Sequence, residues 1–357
     1  MRKPIALAIA GLAGLAGLAL SPAHAQSSVT LYGIVDTGVT RIDDAGAGGG
    51  NTLLRSGNLL TSRFGFRGTE DLGGGLKALF NLEAGLNVDT GATSTPYFNR
   101  QSWVGLSSES FGNVWMGRML PIISDIFISS QQAPYLGNTA AAIDGAAIGA
   151  GSSVARFNNM TQTRVDNAIK YQGPSLAGFK VHAMTALGEV AGSSSAGRIL
   201  SLGGSYNSES IEAGLAYHEK QCTDAGGCAA GKDKDKIFGV GGSYKFNGNR
   251  IGVVYTSQKN ALNVAGNDAD VFDLLVRVPM GQVVLGAGYQ YLNDKTSLNQ
   301  DTSQVNLAAT YVLSKRTQLY ALYSHQSVKN GGKAGMYSVT SSKDKQNQFS
   351  AGIVHMF

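Results

Sequence analysis

After Gln26 the chain repeats a two-residue alternation of side-chain type and contains no apolar run of the ~20 residues that a membrane-spanning helix needs. Val283, Leu285, Ala287, Tyr289 and Tyr291 interleave with Gln282, Gly286, Gly288 and Gln290. Val305, Leu307, Ala309, Tyr311 and Leu313 stand against Gln304, Asn306, Ala308 and Thr310, and Phe238, Val240, Tyr244 and Phe246 against Gly239, Gly241, Ser243 and Lys245. One face of each segment is apolar and tipped with aromatic rings; the other carries Gly, Ser, Gln, Asn or charge. A soluble sandwich also alternates, but it must pack a second face or a helix with large apolar side chains, and this chain supplies few. A barrel with lipid outside and water inside needs no such volume.

Composition narrows the alternatives. Of 357 residues 43% are hydrophobic and 15% charged, with 48 Gly and 2 Cys. The hydrophobic share excludes disorder, two cysteines exclude a disulfide-built scaffold, and the charged share lies below the roughly 25% of soluble domains. A net charge of +5 is mild for this length, and no nucleic-acid partner is expected. At the N-terminus, Arg2 and Lys3 precede an apolar run from Ile5 to Leu20, then Pro22 and Ala23-His24-Ala25. That order predicts a secretory signal over residues 1–25 and a mature chain over 26–357. Losing Arg2 and Lys3 takes the net charge from +5 to +3.

The connections alternate in length as well. Tyr206 to Ser210, Phe246 to Arg250 and Leu313 to Thr317 are tight hairpins, whereas 219–236, 259–269 and 327–346 are long and polar. Strands are expected at 29–41, 59–68, 76–88, 97–107, 113–119, 166–173, 178–187, 198–207, 210–219, 236–246, 250–258, 269–279, 282–292, 302–313, 317–326 and 345–357. This is an all-β chain: a sixteen-stranded antiparallel transmembrane barrel, wide enough for an aqueous channel. Residues 120–165, the third long loop, exceed an ordinary connection and are expected to fold into the lumen.

Ser28 to Gly33, Ser62 to Gly73, Arg100 to Leu106, Met116-Gly117-Arg118, Arg164 to Asn167 and the terminal Phe357 resemble, in order, the trimeric Gram-negative outer-membrane porins of β-proteobacterial type. The resemblance implies a homotrimer in the outer membrane, in contact with its lipid and lipopolysaccharide. It also implies that Phe357, at the end of a strand face with Phe349, Ala351, Ile353 and His355, is the signal read by the barrel assembly machinery. It implies passive diffusion of small hydrophilic solutes, and no enzymatic activity or cofactor.

The same resemblance carries a basic cluster on the channel wall to Arg63, Arg100 and Arg164. Strand parity turns Arg63 inward, since Phe64 and Phe66 take the lipid face, and it turns Lys77 and Glu83 inward too. For Arg100 parity is ambiguous, because Val104 and Leu106 share its face and could pack beneath the inward loop. Asp125 and Tyr135 on the loop, with Asp144, and Asp36 on the wall are the expected opposing groups. The loop stretch Pro134 to Asn138 has tyrosine and asparagine where related porins carry acidic residues, so a net positive constriction and an anion preference are expected. A single uncompensated charge in such a passage is worth about 1–4 kcal/mol. Neutralisation by Asp36, Asp125 and Asp166 is the competing expectation, and a constriction that binds carboxylates or phosphate is the alternative function.

Other motifs carry less. Gly226 to Lys232 approximates a phosphate-binding loop, but Asp233 follows where Ser or Thr is needed. Cys222 and Cys228 could form a small loop disulfide. His182, His218, His325 and His355 are scattered, and no metal site is expected.

Overall fold

The computed structural model describes residues 28–127, 164–224, 226–336 and 339–357. The expected signal segment, Tyr135 and Asp144 lie outside them. Strands follow one another in a meander. The first are β1 (Ser28–Ile42), β2 (Asn51–Ser56), β3 (Arg63–Gly73), β4 (Leu76–Gly85), β5 (Gln101–Ser108) and β6 (Gly112–Met119), followed by a short helix α1 (Ile122–Phe127). Next come β7 (Val165–Gln172), β8 (Phe179–Ala186), β9 (Ile199–Asn207), β10 (Ile211–Lys220), β11 (Asp235–Phe246) and β12 (Asn249–Lys259). The last group is β13 (Ala269–Met280), β14 (Val283–Asp294), β15 (Thr302–Val312), β16 (Thr317–Val328), the short β17 (Gly335–Met336) and β18 (Val339–Thr340), and β19 (Lys345–Met356).

Each long strand pairs antiparallel with its neighbours, and β19 returns to pair with β1 through Ile34↔Met356 to Ile42↔Gln348. The sheet is therefore closed. Two segments share one position: β1 pairs with β3 through Ser28 to Ile34 and with β2 through Thr37 to Ile42. Counting β2 and β3 as one interrupted strand gives sixteen positions around the cylinder, as expected. The expected strand 59–68 is corrected accordingly: residues 57–62 leave the wall and turn inward, and pairing resumes at Arg63.

Outward residues form a continuous apolar belt, including Phe238, Val240, Val253, Leu285, Leu307, Leu319 and Ile353, each about 40% exposed or more. Water does not tolerate so large a contiguous apolar surface on a single chain. Hydrocarbon does, provided every backbone amide is paired in the sheet, and closure supplies that pairing. The interior is the reverse. Gln304, Asn306, Ser324, Gln326, Gln348 and Ser350 are fully buried on the inner wall. They bond in a ladder along and across the strands, with Gln304 Nε2 donating to Asn306 Oδ1 at 2.8 Å on β15 and Gln326 Nε2 of β16 to Gln304 Oε1 at 3.0 Å.

One strand interruption and two long connections bend inward. Residues 57–62 are held by Asp36, whose carboxylate accepts the N–H groups of Leu59 (2.7 Å) and Leu60 (2.6 Å) and the hydroxyl of Tyr320 (2.6 Å). Leu59 then packs against Leu275, Ala308, Leu322 and Val354. The β17–β18 hairpin bonds to the ladder, Gly335 N to Gln326 Oε1 at 2.7 Å and Met336 N to Gln346 Oε1 at 2.8 Å. Lastly, α1, the start of the expected third loop, lies against the inner wall of β9, β10 and β11. Its seat is three glycines: a Cβ at Gly203, Gly214 or Gly239 would lie 2.4–2.8 Å from side-chain atoms of Ile122, Ile126 or Phe127. Each of those apolar side chains is worth about 1.5–3 kcal/mol when buried, so the seat is strongly favoured over a solvated loop. Residues 128–163 of the expected constriction loop lie outside the described ones.

Asp36→Ala removes the acceptor for three buried donors, at about 1–3 kcal/mol each. The expected outcome is a barrel that assembles but unfolds at clearly lower temperature, read from gel mobility along a heating series. An unfolding temperature equal to that of the unaltered protein would show that Asp36 does not anchor residues 57–62.

Candidate channel constriction

The candidate side chains come from five adjacent wall positions at one height. Arg63 opens β3 and pairs across to Gly85, while Glu83 on β4 pairs to Gln101 of β5. Arg118, near the end of β6, pairs to Ser102, and Met119 pairs to Val165 beside Arg164 at the start of β7. Strand register alone thus brings Arg63, Arg100, Arg118 and Arg164 around Glu83.

Glu83 Oε1 accepts from Arg100 Nε at 2.7 Å and lies 4.0 Å from Arg63 Nη1. Its Oε2 accepts from the Tyr32 hydroxyl at 3.0 Å. Arg118 donates to the Asn99 carbonyl at 2.8 Å and forms an ion pair with Asp166. Arg164 adds a guanidinium, which stays cationic at neutral pH. Four guanidinium groups therefore face two carboxylates, Glu83 and Asp166, a net charge of +2 among these six groups. Arg67 adds a further cation on the same inner face, 5.2 Å from the centre of the Tyr32 ring.

The ambiguity at Arg100 is resolved. Val104 and Leu106 are 59% and 48% exposed on the outer face, not packed under a loop. Arg100 lies in a bend ahead of β5, which frees its side chain from strand parity and lets it turn inward. The remaining expectations divide. Lys77 has inner parity but pairs with Asp71 at the tight turn, exposed at the far mouth. Six residues separate it from Glu83, on the order of 20 Å along the strand, so it is not part of the constriction. Asp36 is not an opposing group either, since its oxygens are taken by Leu59, Leu60 and Tyr320. Asp125 sits on α1 and accepts from Lys170 Nζ at 2.6 Å rather than facing the arginines. Of the three acids expected to neutralise the cluster, Asp166 does engage it, through Arg118.

Glu83 as the shared counter-charge, Arg118 and Lys170 were not singled out by sequence reasoning. Arg118 follows the outward-facing Met116, so simple alternation would send it to lipid. Gly117, at a φ of +134°, breaks the alternation, and a Cβ there would lie 2.2 Å from the Ser102 carbonyl. A glycine between Met116 and Arg118 was the available signal. Elsewhere, Phe357 pairs its backbone with Gly33 at 3.0 and 3.1 Å, and its ring occupies the space a Cβ at Gly33 would need. Cys222 and Cys228 are joined by a disulfide within the connection between β10 and β11. Among the described residues no cluster of metal-ligating side chains occurs.

A closed cylinder with a greasy exterior, a polar interior and an arc of charge on its inner wall is a membrane channel. The chain belongs to the Gram-negative porin family, which it matches over residues 8–331. It is 32% identical to outer membrane porin protein 32 of Delftia acidovorans, over 97% of this chain and 99% of that one. It is 31% identical to an outer membrane porin protein of Bordetella pertussis, over 91% and 94% of the two chains. Among solved structures it resembles an anion-selective porin from Comamonas acidovorans at 27% identity and a TM-score of 0.76, covering 93% of this chain and all of that one. The protein is thus a channel of the Gram-negative outer membrane, in a family of pores and not of enzymes.

Replacing Glu83 by Gln removes the carboxylate shared by Arg63 and Arg100. The anion-to-cation permeability ratio is expected to rise roughly fivefold, the equivalent of about 1 kcal/mol, in the zero-current potential across a potassium chloride gradient. A fall in the ratio would mean that Glu83 does not screen the arginines.

Proposed function

We propose that this porin passes small hydrophilic solutes by diffusion with a preference for anions, and that Arg63, Arg100, Arg118 and Arg164 set the preference. The observation that carries this reading is the excess of guanidinium over carboxylate around Glu83 among the described residues. Rings of fixed charge tune a pore because a permeating ion sheds part of its hydration where wall dipoles and charges replace water. Guanidinium suits this role: it is always available as a planar multiple donor and is only weakly hydrated itself. The similarity to an anion-selective porin supports the same direction.

The homotrimer, removal of residues 1–25, and recognition of Phe357 by the assembly machinery are parts of the same proposal. Lipopolysaccharide is the expected neighbour of the extracellular rim, where Tyr217 donates to Glu219 and Tyr291 to Asp301 just above the apolar belt. Unheated protein in mild detergent is expected to migrate as three chains and, after boiling, as one.

The direct test is the reversal potential of purified protein in a planar bilayer. Wild type is expected to favour chloride, and the triple variant Arg63→Ala, Arg100→Ala, Arg164→Ala to lose at least about tenfold of that preference, as removal of three nearby charges requires. Cation preference in the wild type would overturn the proposal.

A further inference from the structure

On the outer wall, between β13 and β19, the apolar belt is indented by a trench of about 430 Å³. Register explains it. Val278, Leu285, Ala309, Ala321 and Ala351 form one outward row across β13, β14, β15, β16 and β19. Val276, Ala287, Leu307, Tyr323 and Phe349 form the next row toward the long connections. Ala287, Ala309 and Ala321 make a low floor, while Leu285, Leu307, Tyr323 and Phe349 stand exposed around it.

Hydrocarbon gives apolar side chains no drive to leave it, so most of the belt is satisfied by any lipid. A trench is different, because an empty one forfeits dispersion contacts along its whole lining. A flexible alkyl chain laid in it restores them. The foot of this wall is charged. Below the trench on β16 and β19 come the pairs Leu319↔Ile353 and Thr317↔His355, then the tight turn with Lys315 and Arg316. Both turn residues are exposed, and neither forms an ion pair among the described residues. Segments 279–283, 312–317 and 354–357, which make the bottom of this arc, contain no aspartate or glutamate. The terminal carboxylate of Phe357 is thus the single negative group that the chain sets against these two cations.

The short turns of an outer-membrane barrel face the periplasm. Five residues separate Arg316 from Ala321, on the order of 17 Å along the strand. At a strand tilt of about 40° that is roughly 13 Å of depth, within one leaflet of a ~30 Å hydrocarbon core. We infer that the trench and the turn below it bind an anionic glycerophospholipid of the periplasmic leaflet. Its phosphate lies at Lys315 and Arg316, and one acyl chain crosses Ala321 and Ala309. A zwitterionic phospholipid fills the trench but brings no net charge to the turn. Lipopolysaccharide at the extracellular rim is at the wrong end for these cations. A second copy of the chain would need a rigid ridge matching the trench as well as a counter-charge for the turn. The site goes beyond conduction, since the trench faces away from the lumen.

The test uses the delipidated, assembled porin in mild detergent, with retained lipid read by native mass spectrometry. Phosphatidylglycerol and phosphatidylethanolamine with the same acyl chains are the probes. Wild type is expected to retain phosphatidylglycerol at least about tenfold more tightly, as two basic side chains near an anionic headgroup provide. In the double variant Lys315→Gln, Arg316→Gln the two lipids are expected to bind within about twofold of each other. Ala309→Leu with Ala321→Leu, which fills the trench, is expected to weaken both lipids while leaving assembly and chloride current as in the wild type. Equal retention of the two lipids by the wild type would overturn the site, as would a preference that survives in the Lys315, Arg316 variant. Loss of the assembled form on filling the trench would also overturn it, assigning the trench to contact between copies.

Discussion

Every other property of this molecule depends on the pairing of β19 with β1. In hydrocarbon an unpaired amide costs several kcal/mol, so a sheet with two free edges has no stable place there. Nine residue pairs from Ile34↔Met356 to Ile42↔Gln348 remove both edges at once. The close of the seam is made by the last residue: Phe357 exchanges two backbone hydrogen bonds with Gly33, and its ring lies over that glycine. With the circumference set by sixteen paired positions, the wall has little freedom left. Selectivity has to be written in the side chains that face inward and in the segments that leave the wall.

The inward charges are arranged with economy of position rather than of number. Four arginines converge because register sets the ends of β3, β5, β6 and β7 at one height, not because they neighbour one another in sequence. Glu83 holds Arg100 at 2.7 Å and Arg63 at 4.0 Å, which keeps like charges from driving the cluster apart while leaving the sum positive. Lys170 is treated differently. It is bound by Asp125 and the Leu120 carbonyl and lies 5.7 Å from the Trp115 ring centre, so its charge serves to hold α1 to the wall. Cation and carboxylate thus have two separate duties in one lumen, fastening and field.

Much of the fold was legible because the two-residue period is a local signal: parity put Phe238, Leu285 and Leu307 outside and Gln304 and Ser243 inside, as the barrel has them. What parity could not carry is any place where the chain leaves the strand. Arg100 sits in a bend, Arg118 follows a glycine that flips the alternation, and residues 57–62 depart the wall between two pieces of one strand. Each of these is decided by contacts with residues far away in sequence, such as Asp36 with Tyr320, 284 positions apart. The same reason explains the misassignment of Asp36. An aspartate on the inner face looks like a channel charge until the three donors that consume it are known. The grouping of the arginines at 63, 100 and 164 was legible through their motifs, whereas the ion pairs of Glu83 and Asp125 required the register that pairs one strand with the next.

The three inward segments share a design that bears on how such a pore can vary. α1 and the β17–β18 hairpin arise from long connections, whereas residues 57–62 leave the wall partway along an interrupted strand. Each is fixed to the wall by a different physical means: a buried carboxylate, a bed of glycines, and donors taken up by a ladder of amides. The anchors of residues 57–62 and of the β17–β18 hairpin share the arc of β1, β16 and β19 at the seam, whereas α1 is seated apart from them on β9, β10 and β11. Aperture and field can therefore shift by substitution in a few lumenal residues while the lipid-facing belt stays as it is. The position of α1 is consequently a property of its attachment, and the loss of the seat at Gly203, Gly214 and Gly239 would release α1 without altering the cylinder around it.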